Sequence, residues 1–247
     1  MPNADSIHIG TSGWSYEHWL GPFYPQELGA SRMLAYYAER FRTVEINNSF
    51  YHLPSEKSLR AWSETVGKDF IFAVKASRYI THMKKLKDPE APVSTFLERI
   101  ETLDPRQTGP ILFQLPPKWR CNPDRLRKFL DYLPDTHRYA FEFRSTSWFT
   151  EEIYSMLAGA GAAFCIYEIA GTLSPRAVTA DFVYIRLHGP DGAYAGSYPT
   201  ETLSDWAATI AGWTAEGKEV FCYFDNDQLG YAARNAGQLQ EMLASRE

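Results

Sequence analysis

The sequence predicts a single (β/α)8 barrel of TIM type, spanning residues 1–247, with parallel strands and its site at the C-terminal face. Three observations predict it. Eight short apolar, β-rich runs recur along the chain, helical patterns lie between most of them, and 247 residues match the roughly 250 that such a barrel takes. Near-continuous apolar runs suit strands covered by helices, which meet no water on either face. Alternation of strand and helix then calls for a parallel sheet with right-handed crossovers.

The runs, in order, are Ile7–Gly10, Thr43–Asn47, Phe70–Lys75, Ile111–Leu115, Tyr139–Arg144, Ala162–Tyr167, Phe182–His188 and Glu219–Phe224. Helical patterns fill the intervals. Ser31 to Phe41 has Met33, Leu34, Tyr37 and Phe41 on one stripe, with Ser31 placed as its N-cap. Ser55 opens a second helix towards Val66, and Ala91 to Leu103 forms a third. Asn122-Pro123 reads as a cap and a first-turn proline for a helix through Leu133. Thr150-Glu151-Glu152 starts a fifth; Thr202–Thr214 and Tyr231–Leu243 are the last two. The segment from Glu168 to Asp181 is too polar and short for a full helix. Gly159-Ala160-Gly161 precedes a strand instead of following one, so it is not read as a dinucleotide loop.

Composition excludes several classes. No stretch approaches the roughly 18–20 uninterrupted apolar residues of a membrane span. Met1 to Asp5 carry neither the basic nor the apolar part of a secretory leader. The three cysteines, Cys121, Cys165 and Cys222, form no C-x-x-C pair, so a reducing cytoplasmic setting is expected. With 25 Lys and Arg against 30 Asp and Glu, the net charge of −5 disfavours a nucleic-acid partner.

Chemistry is sought where the apolar runs end, since barrel sites lie there. Glu45 and Asn47, Glu142 and Arg144, and Arg186 and His188 are each two apart, so each pair shares a strand face. Lys75, Gln114, Asp225 and Asn226 end other runs. Charges within apolar strands are costly unless paired. Glu142, set between Phe141 and Phe143, reads as a general acid/base or as a salt-bridge partner of Arg144 or Arg186. Arg144 and Arg186 read as an anion clamp or as neutralisers of Glu45 and Glu142. His188 precedes Gly189-Pro190-Asp191-Gly192 and suits a proton shuttle. Trp14, Tyr16, Trp19, Phe23 and Tyr24 either stack on a ligand or pack over the barrel mouth. Lys75, Arg78, His82, Lys84, Lys85 and Lys87 make a basic tract that could steer an anion or remain a solvated loop. The histidines other than His188 show no ligand spacing and are expected to be structural or exposed.

Several motifs occur in a fixed order. They are Gly10-Thr11-Ser12-Gly13-Trp14-Ser15-Tyr16, Val44-Glu45-Ile46-Asn47-Asn48-Ser49-Phe50-Tyr51 and Phe113-Gln114-Leu115-Pro116-Pro117. Then follow Glu142-Phe143-Arg144 with Ser147-Trp148, Arg186-Leu187-His188-Gly189, and Tyr223-Phe224-Asp225-Asn226 with Asn235-Ala236. The chain thereby resembles the YecE-like family, a domain of unknown function, over essentially its whole length. The resemblance implies a TIM-type barrel and no particular activity. Asp225 departs from the asparagine expected in that motif and adds a negative charge.

The expectation is an enzyme acting on a phosphorylated sugar or nucleotide by acid–base hydrolysis or isomerisation. Glu142, His188 and Glu45 would carry the catalysis. Arg144, Arg186, Lys75, Gln114, Asn47, Trp14 and Asn226 would bind the substrate. The alternative is a metal-dependent phosphodiesterase acting on nucleic acid, with a divalent metal on Glu45, Glu142, His188 and Asp225. A second alternative is a ligand-binding barrel without catalysis. The sequence leaves oligomeric state open.

Overall fold

A computed structural model describes residues 6–245; the reading of Met1 to Asp5 lies outside them. The chain forms two compact units. Of the described residues, the first comprises 6–45, 166–174 and 181–245, and the second 46–165 and 175–180. Strands are β1 (Ile7–Thr11), β2 (Thr43–Ile46), β3 (Ile71–Lys75), β4 (Thr108–Leu115), β5 (Tyr139–Phe143), β6 (Ala163–Ile169), β7 (Thr172–Leu173), β8 (Phe182–Leu187) and β9 (Glu219–Phe224). Helices are α1 (Met33–Ala38), α2 (Glu56–Thr65), α3 (Glu90–Ile100), α4 (Pro123–Leu130), α5 (Glu151–Gly159), α6 (Thr200–Ala215) and α7 (Tyr231–Ala244). All eight strands expected from the sequence form, and with their interleaved helices they make a (β/α)8 fold of TIM type. No helix of the described residues is long and apolar enough to cross a membrane.

In the first unit β1, β9 and β8 run parallel and in register, with Gly10 beside Tyr223 and Tyr223 beside Arg186. Gly10 is required there: a Cβ would lie 2.3 Å from the Thr43 carbonyl oxygen. Ser12 continues the β1 edge to Glu45 of β2, and the Gly13 amide donates to the Glu45 carbonyl over 2.9 Å. β7 adds a short antiparallel pairing to the end of β6, so the Glu168–Asp181 segment contains no helix, as its polarity predicts. The aromatic loop after β1 packs inward. Trp14, Trp19 and Tyr24 are buried, and the Trp19 indole N–H finds the Asp227 carbonyl at 2.9 Å.

In the second unit β3, β4, β5 and the start of β6 are parallel neighbours. Gln114 stands beside Glu142, and Lys75 beside Leu112, two residues before Gln114. Period-2 alternation therefore puts Lys75, Gln114 and Glu142 on one sheet face near the strand ends. Ser55, Asn122 and Thr150 cap their helices as expected, accepting from the amides of Ser58, Arg125 and Ile153. Ser31 does not cap α1. It sits in a 3-10 turn, Ala30–Arg32, and the cap position falls to Arg32 without a side-chain bond. The basic tract after β3 contains a π-helical turn, Tyr79–Met83.

Candidate functional site

Each unit holds a cluster of charged strand-end side chains. In the first unit, the β1–β2 bridge and the β8–β9 register set Ser12, Glu45, Arg186, His188 and Asp225 around one guanidinium. Arg186 Nη2 donates to Glu45 Oε1 at 2.8 Å, Asp225 Oδ2 at 3.0 Å and Ser12 Oγ at 3.1 Å. Ser12 Oγ also donates to Glu45, whose second oxygen accepts from Tyr184 Oη at 2.7 Å. Burial, and then the Glu45 charge, push the Tyr184 hydroxyl far above its ordinary range, so it remains a donor. Burial and the charges of Asp225, Asp227 and Glu45 do the same to Tyr16, whose hydroxyl donates to the Ser12 carbonyl at 2.6 Å.

Both His188 ring nitrogens are engaged in this network. Nδ1 lies 2.9 Å from Asp225 Oδ2, and Nε2 lies 3.3 Å from Arg186 Nη1. A guanidinium has no acceptor, so Nε2 accepts and Nδ1–H donates to the carboxylate. Tyr194 covers the imidazole with its ring centroid at 5.7 Å, and its amide donates to the His188 carbonyl at 2.6 Å. The proton shuttle expected at His188 is thus a ring bound at both nitrogens, and the anion clamp expected at Arg186 is a fully buried counter-ion. The same guanidinium stands where a divalent cation between Glu45 and Asp225 would stand. Among the described residues no group of three or more His, Cys, Asp or Glu side chains is arranged to hold a metal ion. Asn226 is turned away to the following loop, donating to the Gly196 carbonyl at 2.8 Å and to Asn235 Oδ1 at 2.9 Å.

In the second unit, Glu142 is fully buried and receives Arg144 Nε in a close ion pair. Lys75 is also buried, with its ammonium 4.4 Å from the centroid of Phe50. Phe50 is delivered by the 3-10 turn Asn48–Phe50, anchored where Ser49 Oγ donates to the Lys75 carbonyl at 2.6 Å. The other expected residues of this unit, Gln114 and Asn47, are half-buried. Arg78, exposed, reaches within 5.9 Å of the Tyr51 ring.

The sequence reading placed His82 in the basic tract but, as a histidine, expected it to be structural or exposed. Its ring meets Phe50 edge-on at 5.0 Å, so it shares that aromatic neighbour with Lys75. Burial, then Lys75 and Arg78, push the imidazole down to about 4, with Arg144 adding to the effect and Glu142 opposing it. Three cations thus lower the ring and one carboxylate raises it. Its presence in a basic tract on the loop after β3 was the available signal. A groove of about 520 Å3 is lined by the same loop, at Ser77, Tyr79, Ile80 and Lys84, and by Leu53 and the first turns of α3.

Fold and site define a TIM-type barrel protein with compensated charges at its strand ends. The chain belongs to the DUF72 family, described as a protein of unknown function, whose model matches residues 8–247. It is 25% identical over 269 residues to UPF0759 protein YunF of Bacillus subtilis (strain 168), covering 96% of this chain and 94% of that one. It is 33% identical over 146 residues to UPF0759 protein YecE of Escherichia coli (strain K12), covering 59% of this chain and 51% of the relative. The crystal structure of a DUF72 family protein, TM1631 from Thermotoga maritima MSB8, matches with a TM-score of 0.87 and 31% identity over 96% of this chain and 99% of that one. EF0366 from Enterococcus faecalis V583 shares the fold at a TM-score of 0.82 and 21% identity, covering 96% of this chain and 95% of that one. The resemblance read from the motifs is borne out at the level of the family.

Proposed function

We propose that this protein acts on a small phosphate-bearing molecule, a sugar phosphate or a nucleotide, by acid–base hydrolysis or isomerisation. One observation carries the reading: after burial, the charges of Lys75, Arg78 and Arg144 push the His82 imidazole down while Glu142 opposes them. Their combined effect on that ring outweighs the opposing carboxylate, in a partly desolvated setting. Such a positive field attracts a phosphate group, whereas it offers a neutral sugar no comparable attraction. Lys75 supplies a buried point charge, and Arg144 and Arg78 supply planar donors. Glu142 exchanges protons once the anion draws Arg144 away from it.

The roles in the first unit change accordingly. Arg186 holds Glu45 and Asp225, and those carboxylates in turn hold Ser12, Tyr184 and His188. That network is assigned to positioning, not to anion capture.

The test is a screen of phosphorylated sugars and nucleotides by phosphorus NMR, run with the wild type and with Lys75→Met. Turnover or saturable binding that falls at least tenfold in the variant supports the reading. Equal affinity in both proteins, or no phosphorylated compound bound at millimolar concentration, overturns it.

A further inference from the structure

We infer that residues 189–196 form a lid whose closing side chain is Tyr194, and that a molecule reaches the His188–Asp225 pair of the first unit only when this lid opens. The inference stands apart from the anion reading, whose residues belong to the second unit.

The surroundings of the imidazole identify its cover. His188 is fully buried. Asp225 Oδ2 lies 2.9 Å from Nδ1 and Arg186 Nη1 lies 3.3 Å from Nε2. Two tyrosine rings meet the imidazole edge-on, Tyr167 with its centroid at 6.3 Å and Tyr194 at 5.7 Å. Arg186, Asp225 and Tyr167 are themselves buried, whereas Tyr194 is 44% exposed. Of these four partners, Tyr194 is therefore the one that separates the ring from solvent.

The loop that carries Tyr194 is tied at both ends and exposed between them. At one end the Gly189 amide donates to Tyr198 Oη, and its carbonyl accepts from the Ala170 amide, each over 2.9 Å. At the other end the Gly196 carbonyl accepts from Asn226 Nδ2 at 2.8 Å, and its amide donates to Gln228 Oε1 at 3.2 Å. Both glycines hold left-handed backbone, with φ +110° and +87°. Between them Asp191, Ala193 and Tyr194 are exposed, and the chain doubles back through a bridge from Gly192 to Ala195. Tyr194 has φ +66°, a conformation that costs a bulky L residue energy. Its amide bond to the His188 carbonyl at 2.6 Å and its ring on the imidazole hold the loop down against that strain. A strained residue that makes the closing contacts, set between two anchored glycines, gives the loop an open state of low cost while its ends stay fixed.

Two measurements on the full chain test this, neither of which needs a ligand. Native-state hydrogen exchange of the wild type reads the opening. The Tyr194 amide is expected to exchange at least about a hundredfold faster than the Asp225 amide, which donates to the Leu187 carbonyl at 2.8 Å, and at a rate that low urea leaves unchanged. Acylation by diethyl pyrocarbonate, resolved by mass spectrometry, reads the seal, with the exposed His52 as internal reference. Tyr194→Gly should speed the reaction at His188 at least about tenfold relative to His52, with no fall in the urea midpoint, because glycine adopts φ +66° freely. Tyr194→Phe keeps the ring and should react at His188 as the wild type does. A Tyr194 amide that exchanges as slowly as that of Asp225 overturns the lid. A His188 that stays as unreactive in Tyr194→Gly as in the wild type overturns Tyr194 as its closing side chain. Either result leaves the anion reading as it was.

Discussion

Arg186 and Glu45 form an ion pair of 2.8 Å in which both side chains are completely buried. Neither charge reaches water, so each is stabilised only by its protein partners. Asp225 sits on the same guanidinium nitrogen at 3.0 Å. Arg186→Met therefore leaves two carboxylates facing each other without a cation. The expected cost is about 3–5 kcal/mol of folding stability. Glu45→Gln keeps the hydrogen bonds from Ser12 and Tyr184 within reach and leaves Asp225 as counter-ion, so it should cost less. Urea unfolding of both variants checks the order; equal losses would show that the pair acts as packing and not as charge.

His82 gives stability a pH dependence of definite sign. Its folded pKa is about 4 and the ordinary value is 6.5, so between those values the unfolded chain binds more protons. Its contribution is therefore complete above about 6.5 and is lost as pH falls towards 4. The measurement is the urea midpoint at half-unit steps from pH 4 to 7. The slope over that window should be shallower in His82→Gln than in the wild type, and an unchanged slope would remove His82 from the account.

The eight strands were legible because burying a strand on both faces demands a run of apolar residues, and such runs as Phe221-Cys222-Tyr223-Phe224 have no other economical use. The strand-end charges were legible for the converse reason, being the exceptions within those runs. Their partners were not. Arg186 and Glu45 are 141 positions apart, and nothing local to either states that they meet. Ser31 looked like a cap because its side chain can accept from an amide, but the chain enters α1 through a 3-10 turn that leaves no amide in reach. The π-helical turn at Tyr79–Met83 has no hydrophobic period of its own, so the loop carrying His82 read either as a tract that steers an anion or as solvated surface. Burial first, and then the field of Lys75, Arg78 and Arg144, distinguishes that histidine from an ordinary one.

The three cysteines should differ in reactivity. Cys222 is fully buried, and burial pushes its thiol far above the usual range. Cys165 is equally buried, with its sulfur 4.0 Å from Glu142 Oε2, a carboxylate that opposes a thiolate nearby. Cys121 is half-buried, and burial followed by the Glu152 charge raises it also. With a thiol-exchange reagent at pH 8, the native protein should release slowly about one equivalent, from Cys121, and about three only after denaturation. Rapid modification of two or more thiols in the native state would contradict the packing around β6 and β9.

Gly189 follows His188 with φ +110°, a conformation that L side chains rarely adopt. A Cβ placed there would lie 2.2 Å from the Ala195 carbonyl oxygen. Its amide donates to Tyr198 Oη at 2.9 Å, and this return of the chain carries Tyr194 over the His188 ring. Gly189→Ala thus combines backbone strain with a clash against backbone that cannot rotate aside. The expected loss is about 2 kcal/mol or more. Because the nearest atoms belong to residue 195, the loop should loosen before the strands do. Limited proteolysis should therefore cut the variant between residues 190 and 197 while leaving the wild type intact. Cleavage elsewhere at the same rate would place the strain in the strands. The Gly192→Ala variant is the control: a Cβ at Gly192 would meet only the Ala195 Cβ at 3.8 Å, and the resistance of the loop should be retained.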